Sequence, residues 1–279
     1  MRLIDVRHLG RERVIGCWEL DGVLIDPGPT SSMETLIEAL EGQEPSALLL
    51  THIHLDHAGA SGTLVRRSPE LPVYVHERGA RHLADPSKLL ACAERLYGDD
   101  MRRLWGEVAA VPEVNLKPLS GGEEVLGFRV AYTPGHASHH VSYLHPPSGR
   151  AFVGDTAAVR IPPSDFILPP TPPPDIDLEL WEDSIDRILD WEPTSLGLTH
   201  FDAVDDPEAH LERVRGRLRE QGQLARELSS EEFERWIEER AAERADPQTA
   251  QALLQAVPPE QQWAGLDRYW SGRQERAAS

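Results

Sequence analysis

The sequence predicts an α/β protein followed by a helical extension, and three observations carry that reading. Over residues 1–205, short apolar runs of strand length alternate with longer stretches at helical spacing. From Pro207 onward the pattern is helical almost throughout, with apolar positions standing among many Arg and Glu. An apolar fraction of 40% is enough for a folded core, and 279 residues suit one large domain with an appendage better than several small modules. The chain is therefore divided into a main domain, 1–205, and a C-terminal helical extension, 206–279.

Taken in order, Val14 to Leu20, the Asp21-Gly22 turn and Val23 to Ile25 read as a β-meander that ends at Asp26-Pro27-Gly28. Ser31 and Ser32 are placed to cap a helix running through Leu40. Ala47 to Leu50 is too short for a helix and suits a buried strand, and Val73 to Val75 is another. Arg78 to Val108 reads as helical, with Leu83, Leu89, Leu90, Ala93, Leu96, Leu104 and Trp105 at mixed helical spacing. Strands resume at Phe128 to Tyr132, Val141 to Leu144 and Ala151 to Val153. Seven prolines between Ile161 and Pro174 define an ordered loop, because proline neither donates to a sheet ladder nor continues a helix. A helix from Asp177 to Trp191 buries Leu178, Trp181, Ile185, Ile188 and Leu189, and Ser195 to Leu198 is the last clear strand. In the extension, Leu211, Val214 and Leu218 form one stripe and Phe233, Trp236 and Ile237 a second; such stripes dock on the core or on a second copy, and a homodimer is expected.

Charge excludes several roles. With 28 Lys and Arg against 47 Asp and Glu, the net charge of −19 opposes nucleic acid and anionic membrane surfaces, both of which select basic chains. Cys17 and Cys92 are too few for a disulfide framework and lack metal-type spacing. No apolar run approaches a membrane span and MRLIDVRHLG has no signal-like core, so a cytoplasmic protein acting on a small molecule is expected.

The chemistry concentrates in THIHLDHAG. His52, His54, Asp56 and His57 fall within six positions just after the Ala47–Leu50 strand. His52 and His54 are two apart, so in an extended segment they share a side, and after the chain turns Asp56 and His57 present two more ligands from the loop. Imidazole and carboxylate at this density suit zinc, iron or manganese. Three later strand ends each carry a further candidate: His136 in TPGH, Asp155 in FVGD and His200 in LGLTH. Loops leaving one end of a sheet converge in space, and seven ligands including one carboxylate able to bridge are enough for two metal ions.

On these residues the sequence resembles the metallo-β-lactamase superfamily: its H-x-H-x-D-H pattern stands at His52, His54, Asp56 and His57, its TPGH at Thr133 to His136, its G-D at Gly154-Asp155 and its last histidine at His200. The resemblance implies a four-layer αββα sandwich, with His52, His54 and His136 on one metal, Asp56, His57 and His200 on the other, and Asp155 bridging. It implies a hydrolase using two divalent ions, zinc first and iron or manganese next, with Asp56 and Asp155 as the carboxylates of the catalytic centre. Water shared by two such ions becomes a nucleophile near neutral pH, so no catalytic Ser or Cys is assigned, and Ser138 and Cys17 are read as structural.

Departures within the superfamily narrow the substrate. True β-lactamases usually lack the bridging carboxylate that Asp155 supplies, flavodiiron proteins carry a carboxylate where this chain has His54, and transfer-RNA nucleases act on a polyanion that the charge opposes. What remains resembles glyoxalase II, lactonases and related thioesterases, although Thr156-Ala157-Ala158-Val159-Arg160 and the proline-rich loop show none of the basic residues that would hold glutathione there. The expected reaction is hydrolysis of a small ester, thioester or lactone. The alternatives are a mononuclear iron oxidoreductase like the persulfide dioxygenases, and phosphodiester or β-lactam hydrolysis as a side activity. His139 and His140 are expected in structural or surface roles, and His8, His76, His82, His145 and His210 in ordinary ones. The proline-rich loop and the stretch from Tyr97 to Trp105 are expected to wall the cleft, while Phe166, Tyr97 and Trp105 are themselves expected in the core.

Overall fold

The computed structural model describes residues 1–278. Its first sheet runs in chain order: β1 (Arg2–Asp5), β2 (Gly16–Leu20), β3 (Val23–Ile25), β4 (Ala47–Leu49), β5 (Val73–His76) and β6 (Leu116–Leu119). The pairs β1–β2 and β2–β3 are antiparallel, and the rest are parallel. Helices α1 (Met33–Ala39), α2 (Leu55–Ala58), α3 (Ser61–Arg67), α4 (Glu77–Ala84), α5 (Ser87–Tyr97) and α6 (Met101–Trp105) lie between these strands in sequence. The second sheet holds β7 (Glu124–Val125), β8 (Phe128–Tyr132), β9 (Val141–His145), β10 (Arg150–Phe152), β11 (Ser195–Gly197) and β12 (Ala203–Val204), again adjacent in chain order. Only its β10–β11 pair is parallel, and the crossover between those two strands carries α7 (Leu178–Leu189).

Alternation along the strands explains the layers. Ala47 and Leu49 on β4 and Val23 and Ile25 on β3 pack with Phe128, Val130, Tyr143 and Phe152 of the second sheet, whereas Leu48 and Leu24 point the other way into the helix-covered core. Both faces are buried, which is why these strands read as unbroken apolar runs. The result is an αββα sandwich.

The extension comprises α8 (Pro207–Glu227), α9 (Ser230–Arg244), α10 (Pro247–Ala256) and α11 (Pro259–Ala278). Asp206 caps α8 and Ser229 with Glu232 forms a capping box on α9, each supplying acceptors to amides that a helix start leaves without partners. Leu211, Val214, Leu218, Phe233 and Ile237 are buried in one cluster with Trp181, Ile185 and Ile188 of α7. Both apolar stripes are thus covered by the chain itself, and their burial does not require a second copy.

Several local expectations are corrected. The helical stretch from Arg78 to Val108 is three helices, interrupted at Asp85-Pro86 and at Gly98, whose positive φ ends α5. Neither Ser31 nor Ser32 caps α1 with its side chain; a 3-10 turn over Thr30–Ser32 leads into it. Asp56 and His57 sit on the single turn of α2, not in a loop. Strands β1, β6, β7 and β12 lie outside the segments expected to be extended.

Candidate metal centre

Four strand ends deliver the ligands. Beyond β4 the chain bends at Thr51, passes through His52 and Ile53 to His54, the residue just before α2, and then turns so that Asp56 and His57 stand on that helix. His136 follows β8, Asp155 lies in the 3-10 turn after β10, and His200 follows β11. Glycines make two of these approaches possible. A Cβ on Gly135 would stand 2.3 Å from Trp181 Cα, and one on Gly154 would stand 2.5 Å from Thr51 Oγ1; both glycines also have positive φ.

All seven predicted residues come together. One ligand atom from each of His52, His54, His136 and Asp155 lies within 4.8 Å of the others, and Asp56, His57 and His200 form a second group on the same criterion. In the first, His54 Nδ1 is 3.0 Å from His52 Nε2 and 2.9 Å from His136 Nε2. In the second, His200 Nε2 is 3.3 Å from both His57 Nε2 and Asp56 Oδ2. Asp155 stands between them: Oδ2 is 3.3 Å from His136 Nε2, and Oδ1 is 3.2 Å from His57 Nε2 and 3.6 Å from His200 Nε2.

The outer nitrogens decide what the inner ones offer. His136 Nδ1 donates to Pro170 O at 3.0 Å, His200 Nδ1 to Val14 O at 2.6 Å, and His57 Nδ1 to Asp26 Oδ2 at 2.8 Å. Thr51 Oγ1 donates to Asp26 Oδ2 at 2.7 Å, which leaves it as an acceptor for His52 Nδ1 at 3.1 Å. With each outer nitrogen carrying the hydrogen, Nε2 of His52, His57, His136 and His200 turns a lone pair inward toward carboxylate oxygens that are also acceptors. Asp155 Oδ1 is buried without a hydrogen-bond donor. Acceptors facing acceptors in a buried site are repulsive unless cations lie among them, so the donor set fits metal ions.

Protonation shows the same demand for positive charge. Burial pushes His57 down, but the carboxylates of Asp155, Asp56 and Asp26 outweigh it and hold the ring well above its ordinary value; His200 is raised as well, against its own burial, by Asp56 and Asp155. Burial pushes Asp155 up, yet His57 and His136 hold it well below the usual carboxylate range. Burial takes His54 down to about 4 and lowers His52 and His136.

Asp26 was legible only as part of a turn, yet it ties three ligand-bearing segments together. Besides His57 it accepts from Thr51 N at 2.8 Å and from Thr199 Oγ1 at 3.0 Å, the residues just before His52 and His200. Gly28 N–H donates to His57 O at 3.1 Å, so the whole Asp26-Pro27-Gly28 turn is fastened to α2.

The centre floors a cleft of about 440 Å³. Ile53, Leu55, Leu89, Ala93, Tyr97 and Trp105 form one side, Pro170 and Pro172 to Pro174 another, and Gln255, Gln261 and Gln262 of the extension close it. Tyr97 and Trp105 line the cleft, Trp105 being also buried, as expected, in a small core cluster with Leu55 and Ala93, and Phe166 lies in the main core beneath Arg217. His139 and His140 are buried, not on the surface: the His140 ring stacks on His52 at 5.0 Å, and His139 lines the cleft. His8 also reaches the cleft, stacked on Trp105 at 5.4 Å.

The family model of the metallo-beta-lactamase superfamily matches residues 19–193, and the chain belongs to that superfamily. Metal-dependent hydrolases stand among the relatives it matches. It is 29% identical over 209 residues to the metallo-beta-lactamase fold-containing protein ST1585 of Sulfurisphaera tokodaii, covering 71% of this chain and 76% of that protein. The crystal structure of ST1585 has the same fold through the C-terminal helices, with a TM-score of 0.71 at 24% identity over 95% of this chain and 97% of the other. A hydroxyacylglutathione hydrolase of Hamiltonella defensa is 30% identical over 139 residues, which are 48% of this chain and 42% of that protein, so the match spans less than half of the relative. The structure of TTHA1623 in a di-iron-bound form matches 71% of this chain and 92% of its own at 26% identity, with a TM-score of 0.53. Among the described residues no helix is long and apolar enough to cross a membrane.

Proposed function

We propose that this chain hydrolyses a small carboxylic ester, thioester or lactone at a centre of two divalent metal ions. His52, His54 and His136 hold one ion, Asp56, His57 and His200 the other, and Asp155 serves both. The observation that carries the reading is the placing of Asp155, with one oxygen toward each histidine group at the floor of a largely apolar cleft. Bound there, zinc, iron or manganese supplies Lewis acidity toward a carbonyl oxygen and brings the pKa of water from 15.7 toward about 7.

The protein's own groups do the rest. Pro170 O, Val14 O and Asp26 fix the rings of His136, His200 and His57. Asp56 is the carboxylate of the set that faces the cleft with partial exposure, and held ionised by His57 and His200 it would help hold and orient the group bound there. Leu89, Ala93, Tyr97 and Trp105 receive the apolar body of the substrate and exclude bulk water. The −19 charge and the apolar lining both favour such substrates over a nucleic-acid polyanion.

A hydrolysis panel of esters, thioesters, lactones, phosphodiesters and β-lactams on protein of measured metal content tests this. Turnover concentrated in the first three classes supports the reading. Oxygen uptake by protein holding a single iron, without hydrolysis, supports the oxidoreductase alternative and overturns it.

A further inference from the structure

Three cations stand along the mouth of the cleft outside any salt bridge, with Asp85 and Asp175 the acidic groups nearest to them. Arg78, Arg81 and His82 occupy positions i, i+3 and i+4 of α4 and so share one face, and Lys88 lies in the first turn of α5; all four line the cleft. Among the described residues, Arg78, Arg81 and Lys88 form no ion pair within 4.0 Å, although the chain has 47 carboxylates to offer and the arginines of α8 find them readily. The two arginines are positioned by neutral groups. Arg78 Nη1 donates to Tyr132 OH at 3.0 Å with its guanidinium over that ring, and Arg81 Nε donates to His82 Nε2 at 3.2 Å. Outside the metal centre the cleft lining holds a single carboxylate, Asp175, whose Oδ2 accepts from Ser138 N–H and Oγ–H at 3.2 and 2.5 Å.

Within a chain of net charge −19 this is a local reversal of sign, set against apolar walls that focus its field. Neutral hydrogen bonds hold the two guanidinium groups and leave their remaining N–H donors outside any salt bridge, the state in which Arg meets the oxygens of a carboxylate or phosphate. Leu89, Ala93 and Tyr97 line the same cleft, so a substrate spanning rim and centre meets apolar side chains along its length.

Resting on the hydrolase reading above, we propose that Arg78, Arg81 and Lys88 form a subsite for an anionic oxygen group, carboxylate or phosphate, at the end of the substrate remote from the carbonyl that is cleaved. The enzyme then selects esters or thioesters of acids that carry a second, negatively charged terminus.

Two arms on metal-loaded protein test it. In the first, 4-nitrophenyl esters of one straight acyl chain ending in carboxylate, phosphonate or carboxamide are compared at low ionic strength. At least one anionic ester is expected to exceed the carboxamide by about ten-fold in kcat/KM, chiefly through KM, with the ratio collapsing in added salt and in Arg81→Gln/Lys88→Gln. Which anion leads separates a carboxylate from a phosphate specificity. In the second arm, the corresponding N-methyl amides are titrated calorimetrically, and the same preference and the same loss in the double variant are expected. Equal treatment of charged and neutral termini, or a preference that survives in the double variant, overturns the subsite. Hydrolysis without charge preference removes the subsite and leaves the hydrolase; charge-selective binding without hydrolysis of any ester does the reverse.

Discussion

Asp26 Oδ2 and His57 Nδ1 lie 2.8 Å apart, and through that contact a buried carboxylate outside the two candidate metal-binding groups sets the tautomer of a histidine within one of them. The same carboxylate holds Thr51 and Thr199, so it fixes the segments that carry His52 and His200. Replacing Asp26 by Asn keeps its shape but turns an amide donor toward groups that donate. Metal affinity is expected to fall about 10- to 100-fold in Asp26→Asn, read by competition with a chromophoric chelator. Wild-type affinity would show that the contact is incidental.

Asp155 gives a sharper contrast with its neighbours. As the residue that faces both histidine groups, it is expected to take both ions with it when replaced, so Asp155→Ala loses occupancy of the two sites together. His136→Ala removes a ligand from one group only, leaving the second group intact, and hydrolysis is expected to fall by about two orders of magnitude or more while the circular dichroism spectrum is kept. A metal-verified His136→Ala protein with normal turnover would remove that ring from the centre.

One hydrogen-bonded path from the extension leads to the ring of His136. Gln262 on α11 accepts from Thr171 N–H at 2.5 Å, and the neighbouring Pro170 carbonyl accepts from His136 Nδ1. Gly265 reinforces the contact, since a Cβ there would stand 2.1 Å from Thr171 O. Gln262→Leu leaves a buried amide without its acceptor and is expected to cost about 1–3 kcal/mol, seen as a lower unfolding midpoint, together with weaker binding at the site that His136 serves. An unchanged midpoint and unchanged metal affinity would uncouple α11 from the centre.

His210 makes stability depend on pH. Burial, with Arg160 and Arg213 adding to it, holds the ring down at about 4 even though its Nε2–H donates to Ala157 O at 2.8 Å. The unfolded chain takes up a proton near pH 6.5 that the folded chain refuses until about pH 4. The contribution is therefore full above pH 6.5, is lost as pH falls through that window, and levels off below 4. Between pH 7 and 5 this ring is expected to account for about 1–2 kcal/mol of lost stability. Denaturant unfolding of His210→Gln, which keeps a donor for Ala157 O but does not titrate, is expected to show a correspondingly smaller loss; an identical loss would assign the effect elsewhere.

The parts of the site legible in the sequence are those whose geometry is local. The parity of His52 and His54 follows from one extended segment, and His136, Asp155 and His200 announce themselves at the ends of apolar runs. Asp26 was not legible, because its partners Thr51, His57 and Thr199 lie 25, 31 and 173 residues away and only the folded sheets bring them together. The turn of α2 is too short to show a helical period, which is why Asp56 and His57 read as loop residues. Helix interruptions at Pro86 and Gly98 split a stretch whose apolar spacing alone looked continuous. In the extension, periodicity revealed the stripes of Leu211 and Phe233, but what covers a stripe is a property of the whole chain, and here it is α7 and the main core.

Metal stoichiometry against activity tests the two-ion centre most directly. Apo-protein titrated with zinc, iron or manganese is expected to bind two ions per chain, with ester hydrolysis reaching its plateau at the second equivalent, and Asp155→Ala is expected to retain neither ion at wild-type affinity. Full activity at one equivalent, or two ions held with unchanged affinity by Asp155→Ala, would contradict the centre described.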